Sequence, residues 1–197
     1  MIRFFDILFS FLGLIILVPF FVIIALLIIC TSRGTVFYIQ KRVGKHHKEF
    51  TLFKFRTMRS GADKKGLLTV GEKDARVTKI GYFLRKYKLD ELPQLFNVLI
   101  GNMSLVGPRP EVRKYVDLYN DEQKRVLEVH PGITDYASIE YRNENRMLAQ
   151  LAQFEDTEKH YVEEIMPKKL QLNLHYIENR SLAIYFKILF LTVKSIF

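Results

Sequence analysis

The chain has 197 residues, 30 of them Lys or Arg and 21 Asp or Glu, with a formal net charge of +9, 49% apolar residues and one cysteine. That length suffices for one domain with its own core. Cys30 alone excludes an intrachain disulfide, and the five histidines form no helical metal pair and no zinc pattern. The basic balance suits phosphate-bearing partners and by itself leaves nucleic acid, anionic lipid headgroups and nucleotide substrates open.

The first element is defined by what it lacks. Ile7–Cys30 carries no charged residue over 24 positions. A straight helix of that length reaches roughly 36 Å, more than the hydrocarbon core of about 30 Å. The run is long for a signal-peptide core, and Cys-Thr-Ser-Arg is no small-residue cleavage site. Pro19 removes a backbone donor mid-run and predicts a kink or break; Ser10 and Gly13 precede it, one able to satisfy the backbone and the other to pack closely. Two structures compete: a kinked span that puts the N-terminus across the membrane, and a helix–break–helix over residues 1–32 that enters and leaves by one leaflet. Arg3 before the run and Arg33, Lys41 and Arg42 after it favour keeping both ends cytoplasmic.

Residues 33–197 read as one mixed α/β domain, mainly helical. Thr35–Gln40 and Glu49–Phe55 have strand composition on either side of a Val43–Lys48 turn, which predicts a small β-hairpin. Ser60–Asp74, glycine-rich and charged, reads as a loop beside whatever site exists. Ile80–Lys88 predicts a short basic helix. Leu92–Ile100 predicts another; Pro93 fits only its first turn, which places Asp90 and Glu91 at the N-terminus, and Gly101 stops it. Val106-Gly107-Pro108-Arg109-Pro110 is a stiff loop. Glu111–Val129, Asn143–Phe154 and Thr157–Asn179 are expected to be helical. Leu182–Phe197 is apolar with Lys187 and Lys194 on one face, a pattern that fits an amphipathic interfacial helix and a core helix at the domain edge equally.

The densest chemistry is Arg85-Lys86-Tyr87-Lys88-Leu89-Asp90-Glu91-Leu92-Pro93. Cations and a helix N-terminus favour ionised carboxylates and hold phosphate. An ionised aspartate beside a phosphate site can be a nucleophile, and Asp90 and Glu91 together could hold Mg²⁺ with substrate phosphates. The plainer reading makes Asp90 an N-cap and Glu91 a dipole partner. Arg109, mounted between Pro108 and Pro110, offers a pre-set planar fork to a phosphate or base edge, or is a structural turn. Lys54 and Arg56 share a face and reach phosphates or solvent; Arg142 is a candidate of the same kind.

Together these residues resemble the bacterial sugar transferases, the monotopic phosphoglycosyl transferases, in their minimal form. The matching stretches are Lys54-Phe55-Arg56-Thr57-Met58-Arg59, Leu84-Arg85, Leu89 to Leu99, Gly101 to Glu111 and Pro131-Gly132-Ile133-Thr134. The resemblance implies an enzyme that moves a sugar 1-phosphate from a UDP-sugar to undecaprenyl phosphate with release of UMP, the first step of a membrane-bound glycoconjugate pathway. It implies Asp90 as the nucleophile that carries a covalent phosphosugar, Glu91 in metal or proton handling, Arg85 on phosphate, Arg109 on the nucleotide and Mg²⁺ as cofactor. It also implies a re-entrant helix broken at Pro19, a place on the cytoplasmic face of the bacterial inner membrane, membrane lipids as partners and downstream glycosyltransferases beyond them. No nucleic-acid-binding signature accompanies the charge, so nucleic acid is not expected as a partner. The chain departs from the family pattern at Asp135-Tyr136, where Gly-Trp is common, across Tyr141–Asn179 and at Ala183-Ile184-Tyr185. These departures leave the sugar open and weaken the case for Arg142.

Overall fold

The computed structural model describes residues 1–62, 74–151 and 156–196. Most of the expected 60–74 loop therefore lies outside the described residues.

Helix α1 runs from Ile2 to Thr31 with Pro19 inside it. The break expected at Pro19 is not an interruption of the helix, because one proline removes a single i→i−4 bond and leaves the flanking ones in place. Its inward face recurs at three- and four-residue spacing, with Asp6, Ser10, Ile24 and Ile28 buried. Phe11, Ile15, Ile16, Phe20, Val22, Ile23 and Leu26 are more than half exposed or close to it, an apolar surface far larger than water-facing proteins tolerate. By length and composition α1 can cross a membrane, with a mean hydropathy of 3.3.

Both ends of α1 are fastened to the same domain. At the N-terminal end, the Arg3 guanidinium donates to the carbonyls of Val98 at 2.7 Å, Leu99 at 3.1 Å and Met103 at 3.3 Å. The first two belong to the last turn of α3 (Gln94–Leu99), whose carbonyls lack helical partners. One turn on, the buried Asp6 carboxylate accepts from the Ser104 hydroxyl, the Leu105 N–H at 2.9 Å and the Tyr185 hydroxyl at 2.9 Å. At the other end, Ile24 and Ile28 pack with Phe55 and Leu84. The Arg56 guanidinium donates to the Ser32 carbonyl at 2.8 Å and the Arg33 carbonyl at 2.9 Å. Asp6→Ala strands three interior donors, so it is expected to cost about 1–3 kcal/mol, measured as a lower denaturation midpoint in detergent; Asp6→Asn, which keeps one acceptor, recovers part of the loss.

The hairpin forms as the alternating pattern requires. Strand β1 (Phe37–Val43) pairs antiparallel with β2 (Glu49–Phe55), with Phe37 opposite Phe55 and Val43 opposite Glu49. The tight connection puts His46 and His47 in the left-handed region. Helix α2 (Lys79–Lys86) is capped by Thr78, whose hydroxyl accepts from the Gly81 N–H at 3.0 Å. A one-turn 3-10 segment, Leu89–Glu91, then leads through Pro93 into α3. Asn97 of α3 ties it to β2, donating to the Thr51 carbonyl at 2.7 Å and accepting from the Phe53 N–H at 3.1 Å.

A second sheet was not expected. Strand β3 (Ser104–Val106) runs parallel to β4 (Gly132–Thr134). The single helix expected over Glu111–Val129 is also corrected: only α4 (Arg113–Val116) and a 3-10 segment, Gln123–Glu128, are helical. Asn120 and Gln123 exchange reciprocal side-chain bonds with each other's backbone N–H at 2.8 and 3.0 Å. This is capping-box chemistry, and it starts a new segment instead of continuing the old one.

Helix α5 (Tyr136–Glu140) and α6 (Glu144–Leu151) follow. Helix α7 (Thr157–His160) passes through a π-helical turn, Tyr161–Ile165, into α8 (Met166–Glu178). Helix α9 (Leu182–Ile196) buries Tyr185 and Ile188 in the core and leaves Phe186, Phe190 and Val193 exposed. Phe186 touches Phe5 and Phe9 at ring centroid distances of 5.1 and 6.2 Å, so the bare apolar faces of α1 and α9 adjoin.

Candidate active site

The site gathers where β2, the 3-10 turn and the proline loop meet. Lys88 adopts φ +57, and this left-handed step turns the chain sharply from α2 into Leu89–Glu91. The turn presents Asp90 and Glu91 in succession, but α3 begins only at Gln94 and has no side-chain cap. Asp90 therefore caps no helix, which disposes of the plainer reading of this pair.

The loop carrying Arg109 is held from beneath by the β3–β4 pair. The Gly107 N–H donates to the Thr134 carbonyl and the Gly132 N–H to the Pro108 carbonyl, at 3.0 and 2.9 Å. A Cβ on Gly132 would lie 2.1 Å from the Gly107 nitrogen, so only glycine allows this approach. The Arg109 N–H donates to the buried carboxylate of Asp135 at 3.1 Å. Asp135 also caps α5 through the Ser138 N–H. In the sequence Asp135 stands out only as a departure from the family pattern, although Asp-x-x-Ser ahead of a helix is a capping signal that locates it.

Glu91 is the hub of the site. Its carboxylate accepts from Lys54 Nζ at 2.8 Å and from both terminal nitrogens of Arg109, Nη1 at 3.1 Å and Nη2 at 2.5 Å. Burial pushes the Glu91 carboxyl up, but the Arg109 and Lys54 charges more than reverse this and hold it well below the usual carboxylate range. Glu91 in turn raises Arg109. Lys54 is lowered, because burial outweighs the nearby carboxylates.

Asp90 is the opposite case. It is 7% exposed and accepts no hydrogen bond among the described residues. Burial, followed by the Glu91 charge, pushes its carboxyl above the usual range against the opposing pull of Lys54, Arg85 and Lys88. Neighbouring cations favour the ionised Asp90 as expected, but burial and Glu91 work against them, and Lys54 and Arg109 are engaged directly by Glu91.

Of the other expected residues, Arg85 joins the site, donating from Nε to the Thr57 hydroxyl at 2.8 Å. Arg56 does not share the face of Lys54. Strand β2 ends at Phe55, so the alternation stops there, and the Arg56 side chain turns to the end of α1. Arg142 is exposed at the rim.

Two cavities meet at Asp90. One, of about 240 Å³, is walled by charge: Lys54, Arg85, Lys88 and Arg109 near the dyad, and Arg42, Glu111, Glu144 and Lys169 beyond it. The other, of about 620 Å³, runs along Val36, Phe37, Ile39, Phe55 and Met58 with Arg59 and Arg76. Phe55 packs on Phe21 of α1 at 5.2 Å, so this second cavity opens beside the membrane-type helix.

The family model for bacterial sugar transferases matches residues 1–197. The chain belongs to the bacterial sugar transferase family. This sugar transferase is 44% identical to the uncharacterized sugar transferase EpsL of Bacillus subtilis (strain 168) over 161 residues, 82% of the chain and 69% of that relative. It is 36% identical over 181 residues to the UDP-N-acetylgalactosamine-undecaprenyl-phosphate N-acetylgalactosaminephosphotransferase of Aeromonas hydrophila, covering 90% of the chain and 39% of that protein. It is 38% identical over 192 residues to the UDP-glucose:undecaprenyl-phosphate glucose-1-phosphate transferase of Klebsiella pneumoniae, covering 95% and 38%. The chain thus spans well under half the length of the latter two.

A divalent ion suits this transferase's site on one condition. Among the described residues no three His, Cys, Asp or Glu side chains gather. Mg²⁺, however, takes one or two carboxylates plus substrate phosphates. Asp90 supplies the open carboxylate; Glu91, expected as a second ligand, has both oxygens engaged by Lys54 and Arg109.

Proposed function

We propose that this chain is a phosphoglycosyl transferase that moves a sugar 1-phosphate from a UDP-sugar to undecaprenyl phosphate through a covalent Asp90 intermediate. The observation that carries the reading is Asp90 itself: a buried carboxylate without a hydrogen bond among the described residues, at the junction of a charged cavity and a more apolar one beside α1. A pyrophosphate suits the first and a lipid-borne phosphate the second, so both substrates reach one oxygen. In the first step a carboxylate oxygen of Asp90 forms a bond to the β-phosphorus, and the bond to the bridging oxygen breaks. UMP leaves with that electron pair. In the second step an oxygen of undecaprenyl phosphate attacks the same phosphorus and the Asp90 carboxylate departs, giving the sugar diphospholipid. Lys54, Arg85 and Arg109 offset charge on the phosphates, and Glu91 fixes the first and third of them. Asp90, with the substrate phosphates, would hold Mg²⁺, which when bound would supply charge neutralisation for an anion attacking an anion.

The same reading gives α1 a turned-back path, with both ends on the cytoplasmic side of the bacterial inner membrane. Arg3 is bound next to Asn97, Asn97 is bonded to Phe53, and Arg56 holds Ser32. Both anchors thus belong to one surface built by α3 and β2, so the two ends of α1 meet the same domain. Pro19 lies between them, where bending costs one missing hydrogen bond.

The test is to add radiolabelled UDP-sugar and Mg²⁺ to the chain in nanodiscs without lipid acceptor. A labelled protein adduct with stoichiometric UMP is the expected result, discharged on adding undecaprenyl phosphate. UMP that appears only with lipid present, and no adduct, would instead make Asp90 a metal ligand in a one-step transfer.

A further inference from the structure

The charged cavity continues past the groups that phosphate chemistry requires. Its far wall is built by α5, α6, the π-helical turn and α8. There Lys169 Nζ meets Glu144 Oε2 at 2.9 Å, with side chains only 11% and 23% exposed. The same ammonium lies 5.3 Å from the centre of the Tyr161 ring. The Tyr161 hydroxyl donates to Glu111 at 2.7 Å, and Glu111 is held by Arg42 at 3.3 Å. Ser138 Oγ, also on this wall, is buried and has no hydrogen-bond partner among the described residues.

Stability does not explain this arrangement. A largely buried ion pair seldom stabilises a fold better than apolar residues of the same volume, and a buried hydroxyl without a partner costs free energy. Both are explained if the partners arrive with a ligand. The dyad side of the cavity offers cations to phosphates. The far wall offers something different: a carboxylate, an ammonium, a hydroxyl and an aromatic face within one surface. Vicinal ring hydroxyls, each donor and acceptor at once, match a carboxylate beside an ammonium. A uracil edge has one N–H between two carbonyl oxygens and matches a carboxylate poorly.

We propose that Glu144 and Lys169, with Ser138 beside them, read the glycosyl unit of the nucleotide sugar and set which sugar this enzyme accepts. The proposal rests on the nucleotide-sugar reading above and adds the residues that discriminate. Glu144 accepts from ring hydroxyls, Lys169 donates to a hydroxyl or acylamino oxygen, and Tyr161 holds Lys169 in place.

Binding separates the possibilities without turnover. In an Asp90→Asn background in nanodiscs with Mg²⁺, calorimetry would compare UDP-hexoses, UDP-N-acetylhexosamines and UMP for the parent, Glu144→Gln and Lys169→Met. The expected result is that the preferred UDP-sugar weakens about tenfold or more, the order of preference among sugars changes, and UMP binds within about twofold of the parent. Equal weakening of UMP would assign the wall to the nucleotide and overturn the proposal, as would unchanged binding of every ligand. Should either single variant unfold, Glu144→Gln combined with Lys169→Gln leaves no lone charge and is read in the same way. An Asp90-intact chain that binds neither UMP nor any UDP-sugar overturns the nucleotide-sugar reading itself, and this proposal with it; an Asp90-intact chain that binds them but forms no adduct in the labelling test above overturns only the covalent step.

Discussion

Asp90→Asn is expected to reduce UMP release by roughly 10³-fold or more, the scale on which nucleophile removal acts, while the folded protein becomes more stable at neutral pH. The two effects share a cause. Burial and the adjacent Glu91 charge hold the Asp90 carboxyl above its ordinary value of 3.8. For a group whose native pKa is raised, the native state binds its proton more tightly than the unfolded chain. Its stabilising contribution is complete below the unfolded value and is lost as pH rises through the native one. At pH 7 the anion is therefore a liability, and a neutral amide of the same shape removes it. Thermal denaturation of both proteins in one detergent, at pH 7 and again near pH 4, checks the sign: the variant melts higher at pH 7, and the gap narrows in acid. A variant that melts lower at pH 7 would give Asp90 a structural role that its lack of hydrogen bonds among the described residues denies it.

The features legible in the sequence were those set by neighbours in the chain. Glu49–Phe55 alternates and forms β2 over that span, and Pro93 places the dyad in the turn ahead of α3. Pairings made across long separations were not legible. Strands β3 and β4 are three residues each and meet across an intervening stretch that includes α4, so neither carries a periodicity to read. Asp6 sits at the edge of the apolar run, where it looks like a flank; only the fold brings Ser104 and Tyr185 to it. Arg56 shows how a local rule fails: parity with Lys54 holds only while the strand lasts, and the strand stops one residue earlier. Charge placement around the dyad needed coordinates most of all. The sequence lists the cations, but only geometry assigns Lys54 and Arg109 to Glu91 and leaves Asp90 exposed to the penalty of burial.

That assignment makes Glu91 a position where a substitution costs stability. Glu91→Ala leaves the half-buried Lys54 and Arg109 around a missing anion, and breaking such a pair, with solvent reaching Arg109, costs about 1–3 kcal/mol. The partners respond unequally. Lys54, already lowered by burial, can shed its proton, whereas arginine cannot, so the uncompensated charge remains on Arg109 and the proline loop it belongs to. Glu91→Gln, which keeps an acceptor without the charge, is expected to fall between alanine and the parent. Combining Glu91→Ala with Lys54→Met is expected to recover part of the loss, a non-additivity that a double-mutant cycle reads directly. The pH dependence runs opposite in sign to that of Asp90. The Glu91 native pKa is depressed below its ordinary 4.5, so its stabilisation is complete above that value and is lost as pH falls through the native one. Parent and Glu91→Ala should therefore differ most at neutral pH and converge in strong acid, with the parent the more stable throughout, while Asp90→Asn differs from the parent in the reverse direction. Denaturation midpoints of the two variants that moved the same way at pH 7 would contradict the division of labour between these adjacent carboxylates, one held charged by its partners and the other kept free to react.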